Sequence, residues 1–362
     1  MKIAQVAPLY ESVPPRCYGG TERVVSYLTE ELVRKGHEIT LFASGDSVTS
    51  AKLVPCCPRS LRRDDDCVDP LVYHFLQLEE VYSDAESFDI IHFHNDYLHF
   101  PVSKRLMMPN VTTLHGRLDL RDLGLLYKRF HQMPLVSISN SQRQPLAFAN
   151  WQATVYHGLP DDLFDLRQSS GDHLAFLGRI SPEKGVDRAI EIAKRVQMPL
   201  KIAAKIDKTD REYFERVIKP LLNDPLIEFV GEIDQDEKRD FLGSAYALLF
   251  PVDWPEPFGL VMIEAMACGT PIIAYRKGSV PEVMKDTLTG FIVDDVESAV
   301  EAVEHVANLD RRKCREVFEH QFSAARMAED YLAVYSKILA SRRELPAARA
   351  MQRGKSASQA SL

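Results

Sequence analysis

Residues 174–203 read LAFLGRISPEKGVDRAIEIAKRVQMPLKIA, and this stretch decides the fold class. The apolar run Leu174 to Leu177 has strand length. It gives way to the polar loop Gly178 to Gly185, after which Val186, Ala189, Ile190 and Ala193 recur at helical spacing. A second apolar run, Leu200 to Ala203, closes the unit. Strand, loop, amphipathic helix and strand in this order build parallel sheets covered by helices, so the class is α/β.

The alternation extends in both directions. Upstream, strands are predicted near Ile3 to Ala7, Ile39 to Ala43, Ile90 to His94, Val111 to Leu114, Leu135 to Ile138 and Thr154 to Tyr156. The first helix is predicted from Gly20 to Lys35, with Val24, Leu28 and Leu32 on one face and Gly36 in the capping position. Downstream, strands are predicted near Ile227 to Val230, Ala247 to Phe250, Pro271 to Ala274 and Phe291 to Val293. The polar stretch DDLFDLRQSSGD between the halves has neither periodicity and reads as a linker. The expected organisation is a domain over 1–160, a linker over 161–172 and a second domain over 173–322. Ser323 then caps a helix to about residue 340, with Met327, Tyr331, Val334, Tyr335 and Ile338 on one face. Residues 341–362 carry Arg342, Arg343, Arg349, Arg353 and Lys355 against Glu344 and few large apolar side chains, the composition of a basic, disordered tail.

At 362 residues the chain is too long for one ordinary core, which agrees with two domains. Its 45% hydrophobic and 27% charged residues are those of a globular protein, and no run approaches the roughly 20 apolar residues of a membrane span. With 44 Lys plus Arg against 52 Asp plus Glu, the net charge of −8 argues against a broad nucleic-acid surface. The opening MKIAQVAPLY leads straight into a strand without a long apolar signal region, so a cytoplasmic location is expected. The tail's cations suit peripheral contact with the inner membrane surface. None of the six cysteines forms a CxxC pair, and reduced thiols are expected.

Open parallel sheets bind ligands at the carboxyl ends of their strands, which directs attention to the loops leaving them. In GRISPEKG, Ser181 is a plausible N-cap and Pro182 a first helical residue, placing Arg179 in the loop and Lys184 in the first turn. Cations there oppose the helix dipole, an arrangement that suits an anion such as a diphosphate. In DWPEPFGLVMIEAMACG, residues 253–269, a helix starting near Phe258 or Gly259 is apolar on every side apart from Glu264. A buried carboxylate needs donors, and ligand hydroxyls or backbone N–H groups would serve. Glu256, just ahead of the helix, supplies a second acceptor.

With its two carboxylates in EPFGLVMIE and its earlier GRISPEKG, the chain resembles the donor-binding half of retaining glycosyltransferases of family 4. The N-terminal Gly19–Gly20 pair, the segment TLHG and the closing helix also have counterparts in that family, whose architecture is two Rossmann-like domains facing across a cleft (GT-B). The resemblance implies that Arg179 and Lys184 hold the diphosphate of a nucleotide sugar such as a UDP-sugar. It implies that Glu264 accepts from the ribose hydroxyls, that Glu256 contacts the transferred sugar, and that the N–H groups of Phe258, Gly259 and Leu260 face sugar or phosphate. Val230 and Gly231, in FVGEI, would cradle the base. His115, directly after the strand Val111 to Leu114, would contact the sugar, and Asn95 and Asp96 are acceptor-side candidates by position.

The loop Pro8 to Gly20 lacks GxGxxG, which counts against NAD. His92, His94 and His99 lack the carboxylate or cysteine that would complete a metal site, and Asp64 to Asp66 and Asp294 to Asp295 read as solvated loops. No metal and no cofactor are expected, the Arg and Lys pair replacing the ion. The implied activity is a hexosyltransferase acting with retention by same-face attack, on a sugar, lipid-linked or small-molecule acceptor. The competing readings are a sugar-nucleotide 2-epimerase and a non-catalytic sugar-nucleotide-binding protein.

Overall fold

The computed structural model describes the backbone of residues 1–359 and the side chains of residues 1–341. Two parallel sheets form. The first contains β1 (Lys2–Val6), β2 (Glu38–Ser44), β3 (Lys52–Cys57), β4 (Ile90–Phe93), β5 (Asn110–Thr113), β6 (Leu135–Ser137) and β7 (Trp151–Thr154), in the order β3-β2-β1-β4-β5-β6-β7. The second contains β8 (Leu174–Arg179), β9 (Leu200–Lys205), β10 (Ile227–Gly231), β11 (Ala247–Phe250), β12 (Ile272–Tyr275) and β13 (Gly290–Val293), in the order β10-β9-β8-β11-β12-β13. Each sheet starts in its middle and grows outward both ways. The order therefore reverses between β1 and β4 and again between β8 and β11, and such switch points open a crevice at the strands' carboxyl ends.

Two strands differ from the sequence reading. β3 was not expected, because Pro55 interrupts KLVPCC; it lies at the sheet edge, where a missing N–H costs no ladder bond. β7 covers Trp151–Thr154 rather than Thr154 to Tyr156. It too is an edge strand, with every residue half-buried, so its apolar pattern is weak.

The helix Ala324–Gln359 follows the second sheet in sequence but packs on the first helix, Gly20–Arg34. Ser323 Oγ accepts from Arg326 N at 3.2 Å, and Met327, Tyr331, Val334, Tyr335 and Ile338 are buried. Its backbone continues past 341 to Gln359, where the composition predicts disorder; extending an existing helix needs no new nucleus. The membrane contact suggested for the tail's cations rests on side chains outside those described. No helix among the described residues is long and apolar enough to cross a membrane.

One apolar cluster joins both halves, running from Ile3 and Leu28 through Phe258 and Phe322 to Ile263 and Met266. Where the chain passes between the halves, Leu159 exchanges backbone bonds with Phe322 and Ala324, each at 2.8 Å. Arg311 locks the base of the second half. Its buried guanidinium donates to the carbonyls of Arg167 (2.6 Å), Gly243 (2.9 Å) and Ala245 (3.0 Å) and to Thr270 Oγ1 (2.6 Å). We predict that Arg311→Met, which orphans these acceptors, lowers unfolding free energy by about 3 kcal/mol in chemical denaturation at neutral pH.

Candidate active site

The loops after β8 and β11 are tied together before they reach the cleft. Asp253 N donates to Glu183 O at 2.8 Å, and a Cβ on Gly185 would lie 2.3 Å from Pro251 O. This approach changes the expected local structure. Pro182–Lys184 form a single 3-10 turn, Gly185 adopts a left-handed φ of 72°, and the helix begins only at Val186. Ser181 makes no side-chain cap, and its buried Oγ has no partner among the described residues. Lys184 is thus turned out of the helix toward the neighbouring loop.

There Lys184 Nζ meets Glu256 Oε2 at 2.5 Å, while Trp254 Nε1–H donates to the same oxygen at 2.9 Å. The ammonium also lies over the rings of Trp254 (5.1 Å) and Phe250 (6.0 Å), a cation–π arrangement. Glu256 is held from behind by the turn at Gly278–Ser279. Ser279 N donates to Glu256 O at 2.9 Å, and a Cβ on Gly278 would fall 2.3 Å from Glu256 N, so only glycine fits.

Glu264 lies in the helix Leu260–Ala267 and is buried, as its surroundings in sequence require. Within the chain it is met by Lys238 Nζ, at 2.8 Å, from the helix Gln235–Gly243. Arg179, the last residue of β8, turns toward three carboxylates: Glu183 (2.6 Å), Asp210 (3.2 Å) and Asp207 (3.6 Å). The helix Leu260–Ala267 is capped by Gly259 at φ 77° with no side-chain cap. Among the described residues the N–H groups of Phe258, Gly259 and Leu260 have no acceptor within the chain. Directly opposite, Gly20 starts the first helix, and a Cβ there would press on Leu260 Cδ1 at 3.3 Å. Two helix N-termini therefore face each other across the halves.

Three adjoining spaces surround this point. The largest, about 570 Å³, is lined by Gly19, Gly20, Asn95, Asp96 and His115 from the first half and by Glu256, Phe258, Gly259 and Leu260 from the second. A cavity of about 160 Å³ is lined by Arg179, Lys184 and Glu256, and one of about 150 Å³ by Lys238 and Glu264. Tyr18 and Leu260 line all three. Val230 and Gly231 line none of them: Val230 is exposed, while the adjoining Glu232 and Ile233 line the smallest. A register shift between Phe229 and Gly231 leaves Val230 out of the pairing with β9.

On the first half, the His115 ring stacks on His157 at 5.3 Å, and its Nε2 lies 2.9 Å from His94 Nδ1. Burial drives the His115 pKa down to about 3, so the ring is neutral at physiological pH. Asn95 Nδ2 donates to Gln77 Oε1 at 3.4 Å. Asp96 sits at a left-handed φ of 56° and keeps solvent contact, yet protein crowds it closely enough to raise its pKa to about 6. His92 and His99 are occupied, His92 with Tyr335 and Thr113 and His99 with Ser103 and Thr112.

The model for glycosyl transferases group 1 matches residues 166–320, and that for glycosyltransferase family 4 matches residues 18–152. The chain belongs to the family 4 glycosyltransferases. Its two parallel sheets facing one cleft make the GT-B fold. An uncharacterized glycosyltransferase of Methanocaldococcus jannaschii is 26% identical over 81% of this chain and 85% of its own length. The N-acetyl-alpha-D-glucosaminyl L-malate synthase of Bacillus anthracis is 25% identical over 89% of this chain and 96% of its own. The fold matches that of HepE of Anabaena, solved in complex with UDP, with a TM-score of 0.73 at 16% identity, over 93% of this chain and all of that one.

Sequence reasoning missed several residues at the glycosyltransferase's site. Lys238 lies in a helix whose charged sequence QDEKRDFLG looks like any solvated face, and only the fold brings it to Glu264. Trp254 stands in the quoted DWPEPFG but carried no assignment. Glu22, in the first turn of the first helix, lines the cleft, and burial raises its pKa to about 7.

The depressed imidazoles carry a stability consequence. A histidine near pKa 3 when folded and near 6.5 when unfolded binds its proton preferentially in the unfolded state between those values, so acid weakens the fold there. We predict that denaturation midpoints fall as pH drops from 7 to 5. The slope should shrink by up to about 1.4 kcal/mol per pH unit in His115→Gln, a comparison that calibrated urea titrations would make.

Proposed function

We propose that this glycosyltransferase moves a hexose from a nucleotide-diphosphate sugar to an acceptor hydroxyl, with retention of anomeric configuration and without a metal ion. The observation carrying this reading is that Glu256 borders both the cleft and the smaller cavity lined by Arg179 and Lys184. A diphosphate in the smaller cavity competes with Glu256 for Lys184. Once that cation turns to phosphate, the Glu256 carboxylate is free to accept from sugar hydroxyls in the cleft. One ligand carrying both groups satisfies both residues.

Breaking the anomeric C–O bond leaves negative charge on the diphosphate. Lys184, Arg179 and the unpartnered N–H groups at the helix start are the preorganised positive groups nearest to it. These charges do the work a metal would otherwise do. Glu264, ion-paired with Lys238, accepts from the ribose hydroxyls, and neutral His115 contacts the sugar. Asn95 and Asp96 lie on the acceptor side of the cleft. With both carboxylates committed to hydroxyls, attack comes from the same face that the leaving group departs, and the leaving phosphate takes the acceptor's proton. HepE was solved with UDP, which supports a nucleotide donor for a chain sharing its fold.

We predict that Lys184→Met remains folded and lowers donor turnover on the order of a hundredfold, measured as initial rates; unchanged rates would remove its diphosphate role. Glu264→Ala should weaken nucleotide binding in calorimetry while leaving free-sugar binding alone. A thermal-shift screen against UDP-, GDP- and ADP-sugars identifies the donor base, since only a ligand of the native state raises the melting temperature.

A further inference from the structure

The central strand β1 reads KIAQV, and its one buried polar side chain, Gln5, is fully enclosed. A carboxamide placed there must be paired on both ends, and it is. Gln5 Oε1 lies 2.8 Å from His94 Nε2, and Gln5 Nε2 donates to Tyr335 Oη at 3.2 Å. His94 in turn reaches His115 through Nδ1, at 2.9 Å from His115 Nε2. The far nitrogen of His115, Nδ1, has no partner among the described residues.

The proton positions follow from the donor inventory. A carboxamide oxygen only accepts, so His94 Nε2 carries its hydrogen, and a neutral imidazole then has a bare lone pair at Nδ1. That lone pair accepts from His115 Nε2–H, which leaves His115 Nδ1 unprotonated. The reverse arrangement would place an unsatisfied N–H at that buried atom, and buried orphan N–H groups are rarer than buried orphan acceptors. Tyr335 holds the carboxamide in this orientation. Its hydroxyl lies 2.7 Å from His92 Nδ1, to which it donates while accepting from Gln5.

We propose that Gln5 is a positioning residue: through His94 it fixes His115 in the tautomer protonated at Nε2, leaving Nδ1 as a bare acceptor for a hydroxyl of the donor sugar. The inference rests on reading His115 as a sugar contact. It adds that the cleft reads that hydroxyl as a donor, and that the selection originates on the closing helix, at Tyr335.

Imidazole nitrogen NMR on the full chain with 15N-labelled histidine tests this. The wild-type protein should show His115 protonated at Nε2 alone. Gln5→Leu should give mixed tautomers and lower kcat/KM on the order of tenfold, the scale of one misaligned hydrogen bond. Gln5→Glu, which still offers an oxygen to His94, should restore the single tautomer. Tyr335→Phe, which releases the carboxamide without touching the strand, should mix the tautomers and covers the case in which Gln5→Leu does not fold. A proton on His115 Nδ1 in the wild type, or a tautomer unmoved in folded Gln5→Leu or Tyr335→Phe, overturns the proposal. The tautomer is read with no donor present, so its failure is separate from failure of the transferase reading, which only the kinetics carry.

Discussion

The Lys184–Glu256 pair is the interaction around which the site is arranged. Both side chains are largely withdrawn from solvent, so neither charge tolerates being left alone, and removing one partner of such a pair costs about 3–5 kcal/mol. They satisfy each other, and Trp254 Nε1–H donates to the same Glu256 oxygen. A ligand that separates them must replace both halves at once, offering an anion to the lysine and hydroxyl donors to the glutamate. That requirement excludes simple phosphates and simple sugars as strong ligands and favours a molecule joining the two. The remaining features serve this pair: the glycine at 185 brings the loops together, the glycine at 278 backs Glu256, and Gly259 opens the helix beside them.

The second organising element is polar and buried in the first half. Gln5, His94 and His115 on one side, and His92 and Thr113 on the other, meet the hydroxyls of Tyr331 and Tyr335 on the closing helix. A network of this kind is stable only when nearly every member is paired, and it holds the helix in one register on the sheet. The cleft floor and the element that ties the two halves together are thus one hydrogen-bonded unit. Docking of the helix and proton placement at His115 are set by the same tyrosines.

Much of this was legible from residue order. Alternating apolar runs and amphipathic segments gave the parallel sheets because a doubly covered strand has to be apolar throughout, and the loops leaving the strands' carboxyl ends then singled out Arg179, Lys184, Glu256, Asn95 and His115. Edge strands were harder: β3 tolerates Pro55, and β7 is half-buried, so neither carries a full apolar signature. Pairings across the fold were not legible at all. Lys238 and Glu264 are 26 positions apart, Gln5 and Tyr335 are 330 apart, and a carboxamide in a strand says nothing of which histidine it will meet. The turn at Gly185 misled for the same reason, since its cause, the Pro251 carbonyl, belongs to another loop.

A crystal structure with an intact nucleotide-diphosphate sugar tests the account most directly. It predicts that Lys184 Nζ leaves Glu256 for a phosphate oxygen while the Glu256 carboxylate accepts from a sugar hydroxyl. A donor bound with the Lys184–Glu256 pair unbroken and its diphosphate elsewhere would contradict it.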